Sequence, residues 1–260
     1  MTRYDFTTQP NRLDQNTMKW HEAESNPELL ELWVADMDFL PVPEIRDAVI
    51  NYAETHIFGY PYPSEELYQS IINWEKNQHG YVVDKESIVL IEGVVPAIST
   101  AIQAFTKEGD AVLINTPVYP PFARSVRLNN RRLIENSLVK VNGHFEIDFE
   151  QLERDIVEND VKLYVFCSPH NPGGRVWTKE ELTKVADLCQ KHGVLLVSDE
   201  IHQDLALYGN KHISMNTISD AYKDFTLVLS SATKTFNIAG TKNSFTTIEN
   251  EDLRKAFKQK

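Results

Sequence analysis

From Tyr81 onward, short aliphatic and β-branched runs alternate with stretches of helical period, and this alternation narrows the fold more than any other feature. Strands separated by helices re-enter a sheet as parallel neighbours, so the pattern predicts an α/β domain with a mostly parallel sheet and crossover helices. Residues 87–91 (SIVLI) read as a strand, Glu92 and Gly93 as its turn, and residues 94–105 as a helix. A second strand at 111–114 runs into NTPVYPPF, and the 132–141 region carries further β-rich runs around a polar turn. A helix over 148–157 leads into a strand at 162–167. Thr178, with Glu181 three residues on, forms a capping box for a helix that buries Leu182, Val185, Ala186 and Cys189 and stops at Gly193. VLLVS ends at Asp199, TLVLS spans 226–230, a β-like run covers 244–248, and Asn250 opens a last helix.

The N-terminal part is less periodic. Residues 1–42 read as an extended arm, polar at first and then apolar and acidic in ELWVADMDFLPVP. Pro43 suits the first turn of a helix running to about His56, with Ile45, Ala48, Val49, Tyr52 and Ala53 as one buried stripe. The loop IFGYPYPS holds three aromatic rings, either packed down or offered to a ligand. A Ser64-capped helix follows, with Leu67, Ile71 and Trp74 on one face. No repeat, low-complexity tract or flexible linker separates independent domains.

Composition sets bounds on partners. With 26 Lys and Arg against 38 Asp and Glu, the formal charge is -12, which argues against nucleic acid and anionic membranes. Cys167 and Cys189 are the two cysteines, without CxxC or Cys/His ligand spacing, so they read as buried thiols in a reducing compartment and no metal site is expected. The N-terminus has no signal-like apolar core and no run reaches the roughly 18 apolar residues of a membrane span. A cytoplasmic protein is the expectation.

Several predicted strand ends carry polar or reactive groups: Gly93, Tyr119, Asn171, Asp199 and Lys234. In a parallel sheet those ends share one edge, where α/β proteins open their ligand crevice. A lysine partly desolvated there becomes a usable nucleophile. Lysine and aspartate together suit pyridoxal 5′-phosphate, which needs an amine for its aldehyde and a carboxylate near its ring nitrogen. Its phosphate would suit the free N–H groups of the helix after Gly93, helped by the Ser231 and Thr233 hydroxyls. Plainer readings stand beside these: Asp199 as a turn cap, Asn171 as a turn residue before proline, Tyr119 as core rather than ring cover. His202 is either structural or orients Asp199.

SATKTFNIAG, VSDEIH and SPHNPGG, in the order Asn171, Asp199, Lys234, make the chain resemble the fold-type I aminotransferase superfamily of pyridoxal-phosphate enzymes. Adding WVADMDF and FGY (residues 58–60), it resembles the cystathionine β-lyase and cysteine-S-conjugate β-lyase branch, the MalY/PatB type, over essentially its whole length. The resemblance implies a mostly parallel, mixed seven-stranded sheet with helices on both faces. It divides the chain into an arm with part of a small domain (1–42) and a large cofactor-binding domain (43–260). It implies that Lys234 links covalently to the cofactor, Asp199 contacts the pyridine nitrogen, Asn171 the 3-hydroxyl oxygen, and Tyr119 stacks on the ring. Gly93, Val94, Ser231 and Thr233 match phosphate-side positions. Tyr60 matches a tyrosine that homodimers of this family lend to the neighbouring active site.

The implied reaction is β-elimination from a sulfur-containing L-amino acid, giving a thiol, pyruvate and ammonia. Transamination of L-amino acids and a catalytically impaired cofactor-binding fragment are the alternatives. Two departures from the pattern bear on this. Related aminotransferases carry a phosphate-binding arginine where this sequence has Lys242, which offers charge but no bidentate fork. Nothing matches the C-terminal lobe with its arginine for the substrate carboxylate, so that lobe is expected to be missing.

Overall fold

A computed structural model describes residues 4–13, 15–26 and 28–260. The chain forms two compact units, one of Met1–Tyr62 with Ala232–Lys242, the other of Pro63–Ser231 with Asn243–Lys260.

The second unit holds a seven-stranded sheet: β1 (Ile88–Ile91), β2 (Ala111–Thr116), β3 (Arg132–Ser137), β6 (Val161–Cys167), β7 (Leu195–Asp199), β8 (Thr226–Ser230) and β9 (Ser244–Thr247). A small hairpin, β4 (Val139–Val141) and β5 (His144–Glu146), stands apart from it. Its turn is Asn142-Gly143, both at positive φ, the conformation that matches the twist of a two-residue hairpin. The strand order is β1-β9-β8-β7-β6-β2-β3, in which β9 runs antiparallel to β1 and β8 and every other pairing is parallel. The mostly parallel mixed sheet expected from the alternation is therefore present.

Both faces are covered, as near-continuous apolar strands require. On β6, Leu163, Val165 and Cys167 face one core while Tyr164 and Phe166 face the other. The first core takes α3 (Val94–Phe105), α4 (Pro121–Leu128) and α8 (Glu251–Lys258) through Ala97, Ile98, Phe122, Val126 and Phe257. The second takes α5 (Phe149–Glu158) and α6 (Lys179–His192) through Leu152, Ile156, Leu182 and Val185. Burying each such aliphatic side chain stabilises the unit by roughly 1.5–3 kcal/mol. The capping box at Thr178 is formed in both directions, and Gly193 ends α6 in the left-handed region. Both cysteines are buried free thiols, and burial pushes each pKa well up. Helix α4 goes beyond the sequence reading, which assigns no element after the strand that runs into NTPVYPPF; Pro121 takes the first helical position.

Helix α2 (Glu65–Trp74) starts where expected, with Ser64 Oγ accepting the Leu67 N–H. In the first unit, α1 (Pro43–Thr55) also forms as predicted, but none of its residues is buried and Val49 is 60% exposed. The helical period was legible there while the burial of its stripe was not. The arm before α1 is held by charge: Arg12 pairs with Asp36 and Asp38 at 2.5 and 2.8 Å, and Lys19 reaches Asp38 at 2.8 Å. Burial alone would push the Asp38 carboxyl up, but hydrogen bonds from Lys19 and Trp20, with the charges of Lys19 and Arg12, hold it below the usual range. Among the described residues no helix is long and apolar enough to cross a membrane.

Candidate active site

The six parallel strands of the larger unit deliver their carboxyl ends to one edge, and Gly93, Tyr119, Asn171 and Asp199, singled out in the sequence, follow or end those strands. Asp199 is the last residue of β7, buried, in register with Cys167 of β6 and Leu229 of β8. Its Oδ1 accepts the Ile201 N–H at 3.1 Å, so the turn reading of Asp199 is realised while the carboxylate stays inside the edge. Asn171 follows β6 in a turn closed by the Cys167 thiol, whose Sγ accepts the Asn171 N–H at 3.3 Å. The Asn171 carbonyl in turn accepts the Tyr119 N–H at 3.1 Å. Tyr119, Asn171, Cys167 and Asp199 are thus tied together through backbone and strand register. Tyr119 is 43% exposed, with its ring edge-on to Phe122, so it is not a core residue.

At the other side of the sheet, β1 turns at Gly93 into the twelve-residue α3. The first helical bond there runs from the Ala97 N–H to the Gly93 carbonyl, which leaves the Val94 and Val95 N–H groups ahead of it at the positive end of the helix dipole. A Cβ at residue 93 would stand 3.2 Å from Pro96 Cδ, so glycine keeps this helix end open. Ser231 is buried and donates its hydroxyl to the Asn243 carbonyl at 2.5 Å, bridging the end of β8 to the start of β9.

Apart from His202, the remaining predicted residues belong to the smaller unit. Lys234 lies on α7 (Ala232–Thr235), the single turn that directly follows β8 and Ser231. Thr233 is buried and its carbonyl accepts the Ile238 N–H at 3.0 Å. Lys242 adopts a left-handed φ of 48° at the end of the segment and is exposed. Tyr60 is fully exposed, as are Ile57, Phe58 and Tyr62 in large part; the rings of this loop are offered outward rather than packed down. His202 begins a short turn in the larger unit, its carbonyl accepting the Leu205 N–H.

Two supports of the edge were not visible in the sequence. His170 is buried against Trp177, and its Nδ1 accepts the Gly173 N–H at 3.2 Å. Burial and the Arg175 charge bring its pKa down to about 4, so the ring is neutral at physiological pH. Glu200, next to Asp199, is fully buried and accepts from Ser198 Oγ, His212 Nε2 and the Met215 N–H at 2.8, 2.8 and 3.0 Å. Ser198 is two residues back on β7, while His212 and Met215 come from the stretch after it, which has no periodicity to announce them. The only signal was the position of Glu200 beside Asp199.

The profile of the aminotransferase class I and II family matches residues 27–259. The chain belongs to the aminotransferase class I and II family. Within it, cystathionine β-lyase PatB of Bacillus subtilis is 41% identical over 97% of the chain, and the chain spans 66% of that protein, just under two thirds. Among solved structures, cystalysin from Treponema denticola, which contains pyridoxal 5′-phosphate, superposes with a TM-score of 0.94 at 39% identity, covering 99% of this chain and 66% of its own. The pyridoxal-phosphate-bound C-S lyase from Staphylococcus hominis gives a TM-score of 0.92 at 32% identity, over 99% and 66%. This family membership agrees with the resemblance carried by SATKTFNIAG, VSDEIH and SPHNPGG.

Proposed function

We propose that this chain carries the pyridoxal 5′-phosphate site of a carbon–sulfur β-lyase acting on sulfur-containing L-amino acids such as cystathionine, cysteine or cysteine S-conjugates. The observation that carries the reading is the buried Asp199 carboxylate tied by strand register and the Cys167 thiol to Asn171, at the sheet edge that β8 leaves towards Lys234. The likeness to PatB, cystalysin and the staphylococcal C-S lyase supports the same substrate class.

The residues present fit the cofactor by their chemistry. An open helix end at Gly93 and Val94 suits a phosphate, with Ser231, Thr233 and Lys242 as further donors. Asp199 would keep a proton on the ring nitrogen, Asn171 would serve the 3-hydroxyl oxygen, Tyr119 would cover the ring, and His202 would steady the Asp199 side. When bound, pyridoxal phosphate supplies an electron sink for the pair left on the substrate α-carbon. Lys234 is the residue that would hold the cofactor through its amine, and the same amine would serve as the base that takes the substrate α-proton. It returns that proton to the departing sulfur. With one water consumed in hydrolysing the product left after the thiol departs, the products are a thiol, pyruvate and ammonia.

The exposed Tyr60 supports a homodimer in which this ring completes the neighbouring site. A cytoplasmic location accords with two free buried thiols. The assignment of residues 43–260 to a large cofactor-binding domain and of 1–42 to an arm with part of a small domain forms part of the same proposal.

Incubation with pyridoxal phosphate, borohydride reduction and peptide mapping test the cofactor site. The expected result is a reduced adduct on Lys234 that is lost in Lys234→Ala; an adduct that persists in this variant overturns the site. Cystathionine is then added to the unreduced protein. Pyruvate with thiol and ammonia supports the lyase. Conversion of the amino acid to its own keto acid, with amino transfer to the cofactor, replaces that reading by transamination, the activity named in the family description.

A further inference from the structure

Met37, in the middle of ADMDF, is gripped at both backbone polar groups by one side chain from the far end of the chain. Its N–H donates to Asn237 Oδ1 at 2.8 Å, and Asn237 Nδ2 donates to its carbonyl at 2.8 Å and to the Phe39 carbonyl at 3.4 Å. The side-chain amide stands in for the peptide group of a neighbouring strand. Only asparagine offers donor and acceptor at this reach: aspartate lacks the donor and glutamine is one methylene too long. Asn237 also takes a left-handed φ of 55°, which asparagine tolerates better than most residues.

Both sides of this contact are stiff. Asp36 and Asp38, flanking Met37, are held by Arg12 and Lys19. On the other side, the Phe236 N–H donates to the Ala232 carbonyl and the Ile238 N–H to the Thr233 carbonyl, both at 3.0 Å, closing the turn that contains Lys234. Lys234 is three residues before Asn237 on that turn.

We propose that Asn237 is a positioning residue for Lys234: its amide latches the lysine turn to residues 36–39, so the placement of the amine depends on the N-terminal segment. The role in catalysis rests on the cofactor reading above, in which Lys234 is the reacting amine.

The test compares the whole chain with its Asn237→Ala and Asn237→Asp variants by peptide-resolved hydrogen exchange, with and without pyridoxal phosphate, and by pH titration of the absorbance of the Lys234 adduct. Loss of both bonds to Met37 raises exchange in peptides covering 33–40 by roughly tenfold in Asn237→Ala, and by less in Asn237→Asp, which keeps the acceptor. The titration midpoint shifts in the same order, while α5 and α6 exchange as in the unaltered chain. Unchanged exchange at 33–40 in Asn237→Ala overturns the latch. Raised exchange with an unmoved titration midpoint overturns the positioning role. An unaltered chain that forms no adduct overturns the cofactor reading and the positioning role with it; the cofactor-free exchange data separate that result from failure of the latch.

Discussion

At position 173, a side chain would collide with the ring that shapes the turn around Asn171. A Cβ there would lie 2.6 Å from His170 Nδ1 and 3.2 Å from Phe145 Cδ2. His170 cannot swing away, because its ring is buried with its centroid 5.6 Å from that of Trp177. Gly173→Ala is therefore expected to destabilise the larger unit by about 1–3 kcal/mol, read as a lower urea midpoint. As sequence, a Gly173-Gly174 pair indicates a turn and nothing more. The steric reason was hidden because neither the burial of His170 nor the hairpin contact of Phe145 follows from any spacing. The positions of Asp199 and Asn171 were legible for the opposite reason: each stands where an apolar run stops, and strand ends in a parallel sheet share an edge.

Among the elements, α6 was readable from its first residue to its last, because both of its ends are written in local chemistry. Thr178 Oγ1 accepts the Glu181 N–H at 3.2 Å and Glu181 Oε2 accepts the Thr178 N–H at 2.8 Å. Thr178→Ala removes one half of that exchange and is expected to cost about 1 kcal/mol in a denaturant titration. Glu181→Ala costs more, since Glu181 also receives Arg175 Nη2 on both oxygens at 2.7 and 2.8 Å. Helix α4 was illegible because its local chemistry points two ways: Pro120 and Pro121 serve equally well in a turn and in the opening of a helix. For α1 the period settled the helix, but exposure is decided by what packs against a helix, which a local pattern does not contain.

For the molecule as a whole, Glu75 gives stability a pH slope of unusual sign for a carboxylate. It is buried in the turn after α2 and accepts Gln203 Nε2 at 2.7 Å. Burial raises its pKa from 4.5 to about 7, with Glu200 and Asp204 adding to the rise and Gln203 and His79 opposing it. Between those values the folded chain holds a proton that the unfolded chain has released, so this group's contribution falls as pH rises from about 4.5 to 7. Glu75→Gln removes that slope. Its amide also offers a donor to Gln203 Oε1, which has no hydrogen-bond partner among the described residues. The variant should match the unaltered chain near pH 5 and exceed it at pH 8 by on the order of 1–3 kcal/mol, measured as paired urea midpoints.

The antiparallel course of β9 has a topological effect on the segment that carries the lysine. Because β9 starts at the edge where β8 finishes, residues 231–243 leave the sheet and return to it side by side, and the Ser231 hydroxyl ties the neck to Asn243. Each stump of a chain severed inside 235–242 would remain seated in the sheet: one as β8 beside β7, the other as β9 between β8 and β1. A nick after Lys234 would therefore leave the amine on a tethered free end. The two fragments would stay bound through the sheet, which makes this excursion a place where the backbone can be interrupted without dismantling the architecture around it.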